Sequence, residues 1–172
     1  MTSTRLRPPE HRVSPRAVSV WTVESVIAHA VVTALLAGLA WGAAAAGWSW
    51  IPDWAVSYGW AAPVCYALFG LVETAVVPRV RYRVHRWEVT ADVIYTRTGW
   101  LGREWQLVPV SRIQTVDHTQ GWVERMFKVA TLQVQTASHA GSSTIEGLDA
   151  ERARAISEEL AVRAGELRDD AT

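Results

Sequence analysis

Cysteine, lysine and net charge are what this sequence has least of. Cys65 is the only cysteine and lies in an apolar stretch, which excludes an intrachain disulfide and a cysteine-built zinc cluster. It reads as a small buried apolar residue. Lys128 is the only lysine among 17 basic residues, and 17 acidic residues bring the formal charge to zero. No global positive field gathers nucleic acid, so nucleic acid is not an expected partner. The chain also lacks a glycine-rich phosphate loop, a nucleophile elbow, an HExxH pair and a calcium loop. Gly141-Ser142-Ser143 has no strand-to-helix setting of the kind a catalytic serine needs. These absences lead to the expectation of no enzyme activity, no catalytic residue, no metal and no cofactor.

Charge is missing locally as well. Between Val18 and Val77 the only formally charged side chains are Glu24, Asp53 and Glu73. The stretches Ser25 to Pro52 and Trp54 to Val77 each exceed the ~20 residues that cross a bilayer. They predict a hairpin of two transmembrane helices over residues 18–78, with spans at about 25–47 and 54–77. A cleaved secretory signal is the rival for the first stretch, but its apolar region covers only about 7–15 residues. Arg5, Arg7, Arg12 and Arg16 precede the first span, and Arg79, Arg81, Arg83 and Arg86 follow the second. The positive-inside rule then places both termini in the cytoplasm of a multi-pass protein of the cell membrane. Trp48, Trp50 and Trp54 cluster near the outer end and Trp21 near the inner one, as interfacial anchors do. Ala30, Ala34, Gly38, Gly42 and Ala46 form a ridge of small residues that permits close helix approach. It suits either the second span or another subunit. Pro63 is a candidate kink.

Ionisable groups inside a span are functional candidates by default, which singles out His29 and Glu73. Equal rise along antiparallel helices puts His29 level with about Val72, beside Glu73. A contact between the two is expected as a structural polar pair, with proton relay or transport as the rarer role. Glu24 is expected near the basic juxtamembrane residues.

After Pro78 the pattern changes to alternating β-branched, aromatic and polar residues, the mark of half-buried antiparallel strands. Strands are predicted near Tyr82–Thr90, Val93–Trp100, Arg103–Val110, Ile113–Thr119, Thr131–Thr136 and Ser142–Glu146. Gly99 to Gly102, and Ser138 with Gly141, supply turn chemistry. Asp149 can cap a last helix whose inner face is Ala153, Ile156, Leu160 and Ala164. The fold class is α+β: a basic tail at 1–17, the hairpin at 18–78, a soluble domain at 79–165 and a flexible tail at 166–172. His85, His118 and His139 read as solvated. Arg79, Arg81, Arg83 and Arg86 are expected to contact membrane lipid, each contributing about 1 kcal/mol near an anionic surface. Enforcing topology is their simpler role. Trp122, Val123, Met126 and Phe127 in the segment Gly121 to Lys128 suit a one-turn helix against the core. If exposed, Trp122, Met126 and Phe127 form a partner surface.

Three runs carry a family resemblance: Val108-Pro109-Val110-Ser111-Arg112-Ile113-Gln114-Thr115-Val116, then Val123-Glu124-Arg125-Met126-Phe127, then Ala130-Thr131-Leu132-Gln133-Val134-Gln135-Thr136. Trp87, the Thr98-Gly99-Trp100 turn and Ile145-Glu146-Gly147-Leu148 extend it over Tyr82 to Ala164. In order and spacing this resembles the YdbS-like family of bacterial pleckstrin-homology-like membrane proteins. The resemblance implies a seven-stranded, strongly bent sheet capped by a C-terminal helix, with paired membrane spans ahead of it; it does not imply an enzyme. Lys128 departs from the pattern, since the family often has glycine there, where a positive φ is at stake. The resulting expectation is a non-enzymatic membrane-anchored module that binds a protein partner at the cytoplasmic face. Relatives often contain further copies of the domain, so another such membrane protein or a second copy of this chain is a candidate partner. The alternatives are anionic-lipid sensing through the arginines, or transport through His29 and Glu73. Phosphoinositide specificity does not transfer with the fold.

Overall fold

The computed structural model describes residues 7–47, 50–136 and 142–169, with the side chains of 166–169 left out. Arg5, Trp48, Ser138, His139 and Gly141 lie outside the described residues. The chain forms two compact units. One is the stretch Trp21–Pro78; the other joins the segment up to Val20 to the chain from Arg79 onward.

The helical unit is built on two long helices. Helix α1 covers Ala17–Ala46, 30 residues, and ends where Gly47 takes the left-handed conformation at φ 58°. It begins well before the apolar run because nothing between Ala17 and Ser25 breaks a helix. The second apolar stretch is divided, with α2 at Asp53–Tyr58 and α3 at Ala61–Val84. The break falls at Gly59 and Trp60. Pro63, the expected kink, instead sits in the first turn of α3, where its missing N–H is no loss. Pro78 lies inside α3 without stopping it. The helix therefore continues through Tyr82 to Val84, residues whose alternation reads as strand in the sequence. The bond from His85 N–H to the Arg81 carbonyl, 2.7 Å, completes its last turn. Cys65, read as buried, is exposed on α3.

The second unit is an α+β domain of two antiparallel sheets. Strands β1 (His11–Arg12), β2 (Arg86–Val89), β3 (Val93–Thr98) and β4 (Glu104–Pro109) pair in that order. A 3-10 turn at Val110–Arg112 leads to β5 (Ile113–Thr119), β6 (Val129–Thr136) and β7 (Ser143–Asp149), which form the second sheet. Helix α4 (Trp122–Phe127) joins β5 to β6, and α5 (Ala150–Asp169) closes the domain. Helix α5 thus runs on past 165, where the sequence pattern suggested a tail.

Six of these strands were legible after Pro78; the seventh, β1, precedes the hairpin. His11 pairs with Trp87 and Arg12 with Arg86. Beyond it Ser14 N–H donates to the Gly147 carbonyl at 2.7 Å, and Val13, Ala17 and Val20 are buried. The described part of the basic tail, residues 7–17, therefore supplies more than basic charge: it completes a sheet edge and part of its core. By chain order, the whole hairpin is an insertion in the β1–β2 connection.

The inner faces follow the alternation of each strand. Trp87, Ile94 and Val108 come from the first sheet, Leu132, Val134, Ile145 and Leu148 from the second, and Ala153, Ile156 and Leu160 from α5. A buried hydrogen bond between Thr96 Oγ1 and Ser143 Oγ, 3.2 Å, ties the sheets together. Asp149 caps α5 by accepting from Glu151 N–H at 3.2 Å. Lys128 takes the left-handed conformation, φ 55°, as the C-cap of α4. A lysine thus occupies a backbone position that favours glycine. Leu132 is fully buried at the centre of β6. Leu132→Ala is expected to cost about 2–5 kcal/mol by leaving a cavity, read as a lowered denaturant midpoint of the domain's β-sheet circular dichroism signal.

Candidate functional site

Three places hold the polar and apolar groups that do not merely fill the core. The first lies inside the helical unit. His29 Nε2 stands 3.0 Å from Glu73 Oε2, and its Nδ1 stands 3.0 Å from the Tyr66 hydroxyl. The imidazole also meets the Phe69 ring edge-on at 6.0 Å. Tyr66, Phe69, Gly70 and Glu73 are spaced three, four and seven residues apart, which is one face of α3. His29 is level with Phe69 and Gly70 rather than Val72. Gly70 makes this possible: a Cβ there would approach His29 Cβ and Cγ at 2.9 and 2.8 Å. Sequence reasoning reached His29 and Glu73 but missed Tyr66, Phe69 and Gly70, although their spacing back from Glu73 was the available signal. Both ring nitrogens are engaged, which satisfies a polar group that apolar surroundings would otherwise penalise.

The small-residue ridge is elsewhere. Ala30, Ala34, Gly38 and Ala46 are exposed, and a Cβ added at Gly38 or Gly42 meets nothing within 4 Å. Close packing within the hairpin therefore runs through Gly70 and not through the ridge. Gly70→Val is expected to destabilise the hairpin by about 1–3 kcal/mol through overpacking. Gly38→Val should be silent in the same thermal unfolding measurement in mild detergent.

The second place is where the domain's chain enters and leaves the helices. The four arginines do not act as one cluster. Arg81 pairs with Glu146 at 2.6 Å, and Arg86 Nη1 donates to the Glu10 carbonyl at 3.3 Å. Arg79 and Arg83 are exposed. Trp87 is the hub: its Nε1 donates to the Arg12 carbonyl at 3.2 Å, and Arg152 lies over its ring at 5.3 Å. Near it Arg16 pairs with Asp149 at 3.2 Å.

His85 belongs here too. Read from sequence as solvated, it is buried at 6% exposure, because the first residue after α3 is covered by the β3–β4 hairpin. Its Nε2 accepts from Gly99 N–H at 3.3 Å. Burial first, and then the Arg81 guanidinium, lower its pKa from 6.5 to about 4. The unfolded chain thus takes up this proton before the folded one does. The stability it confers is complete above about pH 6.5 and is lost as pH falls toward about 4. His118 is exposed on β5, with Nδ1 3.5 Å from Ser157 Oγ, and is not brought to His85. Among the described residues no group of three or more His, Cys, Asp or Glu is placed to hold a metal. His85→Gln, which keeps an acceptor for Gly99, should flatten the fall of thermal midpoint between pH 6.5 and 4 relative to the parent.

The third place is α4. Glu124 accepts from Gly121 N–H at 2.7 Å and from the Thr131 hydroxyl at 2.8 Å, pinning the single turn to β6. Only Val123 turns into the core; Trp122 and Met126 are 66% and 72% exposed, and Phe127 is half-buried. The expected packing of this helix on the core thus rests on Val123, and its other bulky side chains face out.

Two four- and three-stranded antiparallel sheets closed by a C-terminal helix define a pleckstrin-homology-like protein, here carrying two helices long and apolar enough to cross a membrane. The chain belongs to the bacterial PH domain family, whose profile matches residues 17–164 and so takes in the helices as well as the sheets. It is 27% identical over 147 residues to the UPF0699 transmembrane protein YdbS of Bacillus subtilis (strain 168), covering 85% of this chain and 89% of that one. No solved structure matches it significantly.

Proposed function

We propose that this protein is a non-enzymatic module of the cell membrane that holds its PH-like domain at the cytoplasmic face and binds a protein partner there. The observation that carries the partner is the pair Trp122 and Met126. They are four residues apart on one face of α4 and exposed, although a PH-like core had Val123 alone to bury. Large exposed aromatic and thioether groups side by side mark interaction surfaces, where tryptophan and methionine are enriched. The half-buried Phe127 borders them.

Membrane residence draws support from the transmembrane description of the YdbS relative and from the exposed apolar faces of α1 and α3. Arginines at both ends of the hairpin and their scarcity in the connector favour two crossings with the domain inside. Lipid sensing by Arg79, Arg81, Arg83 and Arg86 as a set has less support, because Arg81 is already paired with Glu146. A relay through His29 and Glu73 has less support, resting on their contact and on the Tyr66 hydroxyl alone.

The test is site-specific photocrosslinking in the native membrane. A photoreactive amino acid replacing Trp122 should give a discrete adduct, whose mass distinguishes a second copy from another protein, and Met126→Glu should abolish it. The same probe replacing Glu151, exposed on α5, should give none. No adduct at position 122, or one indifferent to Met126→Glu, would defeat the proposed surface.

A further inference from the structure

We propose that the tip of the β3–β4 hairpin, Trp100 and Leu101 flanked by Arg97 and Arg103, is a third membrane contact that enters the anionic headgroup layer of the inner leaflet. The inference rests on the proposed residence in the membrane and adds to it a lipid-binding element that lies outside the spans.

Topology supplies the direction. The first sheet is an antiparallel series β1-β2-β3-β4, so its connections leave alternately from opposite ends. The β1–β2 connection contains both apolar helices, and the β3–β4 connection emerges at that same end. The β2–β3 turn at Thr90 to Asp92 emerges at the other. Hydrogen bonds agree: Arg97 Nε donates to the Val84 carbonyl at 3.0 Å and Gly99 N–H to His85 Nε2 at 3.3 Å. Val84 ends α3 about two helical turns after Val77, the last residue of its apolar run.

The tip is built to expose apolar groups. Gly99 has φ 109°, and a Cβ there would overlap the Gly102 carbonyl, so only glycine closes this turn. Trp100 is left 49% exposed and Leu101 83%. In water that exposure has no compensation, whereas a tryptophan ring prefers the headgroup level.

Charge selects the kind of surface. Arg86 and Arg97 lie directly opposite each other on β2 and β3, a like-charged pair that opposes strand pairing. Burial, and then the charges of Arg86 and Arg103, lower the pKa of Arg97. Glu104 is the acid beside them, across from Thr98. Three arginines against one carboxylate leave a net positive collar around an aromatic tip, complementary to anionic lipid.

The experiment uses the full chain in nanodiscs of phosphatidylcholine with or without phosphatidylglycerol, in a Cys65→Ser background. An environment-sensitive NBD fluorophore is attached at Leu101→Cys, at Asp92→Cys in the opposite turn, or at Leu68→Cys in α3. The Leu101 label should shift to the blue and lose most of its emission to headgroup-proximal spin-labelled lipid when phosphatidylglycerol is present. Arg97→Gln with Arg103→Gln, or added salt, should reverse this. The Asp92 label should stay unquenched. Quenching at Leu68 by lipid spin-labelled near the acyl-chain end, with none at Leu101 by the headgroup-proximal label, overturns the proposal while leaving membrane residence intact; absence of acyl-chain quenching at Leu68 removes the residence itself. A blue shift at Leu101 without lipid quenching also overturns it, by assigning the tip to a protein.

Discussion

The pairing of His11 and Arg12 with Arg86 and Trp87 is the constraint on which the rest of the structure depends. It joins backbone from before the hairpin to backbone from after it, so the apolar helices become an insertion within one sheet rather than an anchor fused to its end. Two residues of strand are a small contact, but Trp87 enlarges it. The indole donates to the Arg12 carbonyl, meets the His11 ring at 5.0 Å with the planes tilted by 41°, and carries Arg152 of α5 on its face. With Val13, Ala17 and Val20 buried beside it, the segment is held by packing as well as by its ladder.

Within the helical unit one polar cluster plays a comparable part. Packing between apolar helices gains nothing from expelling water when both are already in an apolar medium, so small residues and satisfied polar groups set the contact. Gly70 admits the His29 ring, and Tyr66 and Glu73 take its two nitrogens. The arrangement completes itself within two helices and leaves the ridge through Gly38 and Gly42 unpacked.

The sheet domain, by contrast, shows its two proposed surfaces as departures from a filled core. Val123 satisfies the interior and leaves Trp122 and Met126 outside; glycines at 99 and 102 close a turn whose two middle residues stay exposed. Both features lie on connections between strands. There the sheet sets position but not side-chain identity, so chemistry is free to vary on a constant frame.

Much of this was legible in the sequence. Long uncharged runs, alternation after Pro78 and the Asp149 cap each follow from local periodicity or capping chemistry, and they mark the helices, six strands and the last helix. Depth along antiparallel helices was enough to bring His29 to Glu73. What one-dimensional pattern does not carry is pairing across distance. Strand β1 is two residues long and has no period to detect. Tyr82 to Val84 alternate like a strand yet continue a helix whose hydrogen bonds were already in place. His85 is polar by type and buried by the hairpin that folds over it, and Arg81 is an apparent flank charge until Glu146 arrives from β7. The sequence by itself determined the two apolar helices, the α+β class and the absence of catalytic motifs, because these depend on composition and short-range spacing. Only the tertiary structure decided that the hairpin interrupts a sheet and that Arg81 meets Glu146, because these depend on residues 75 and 65 positions apart meeting in space.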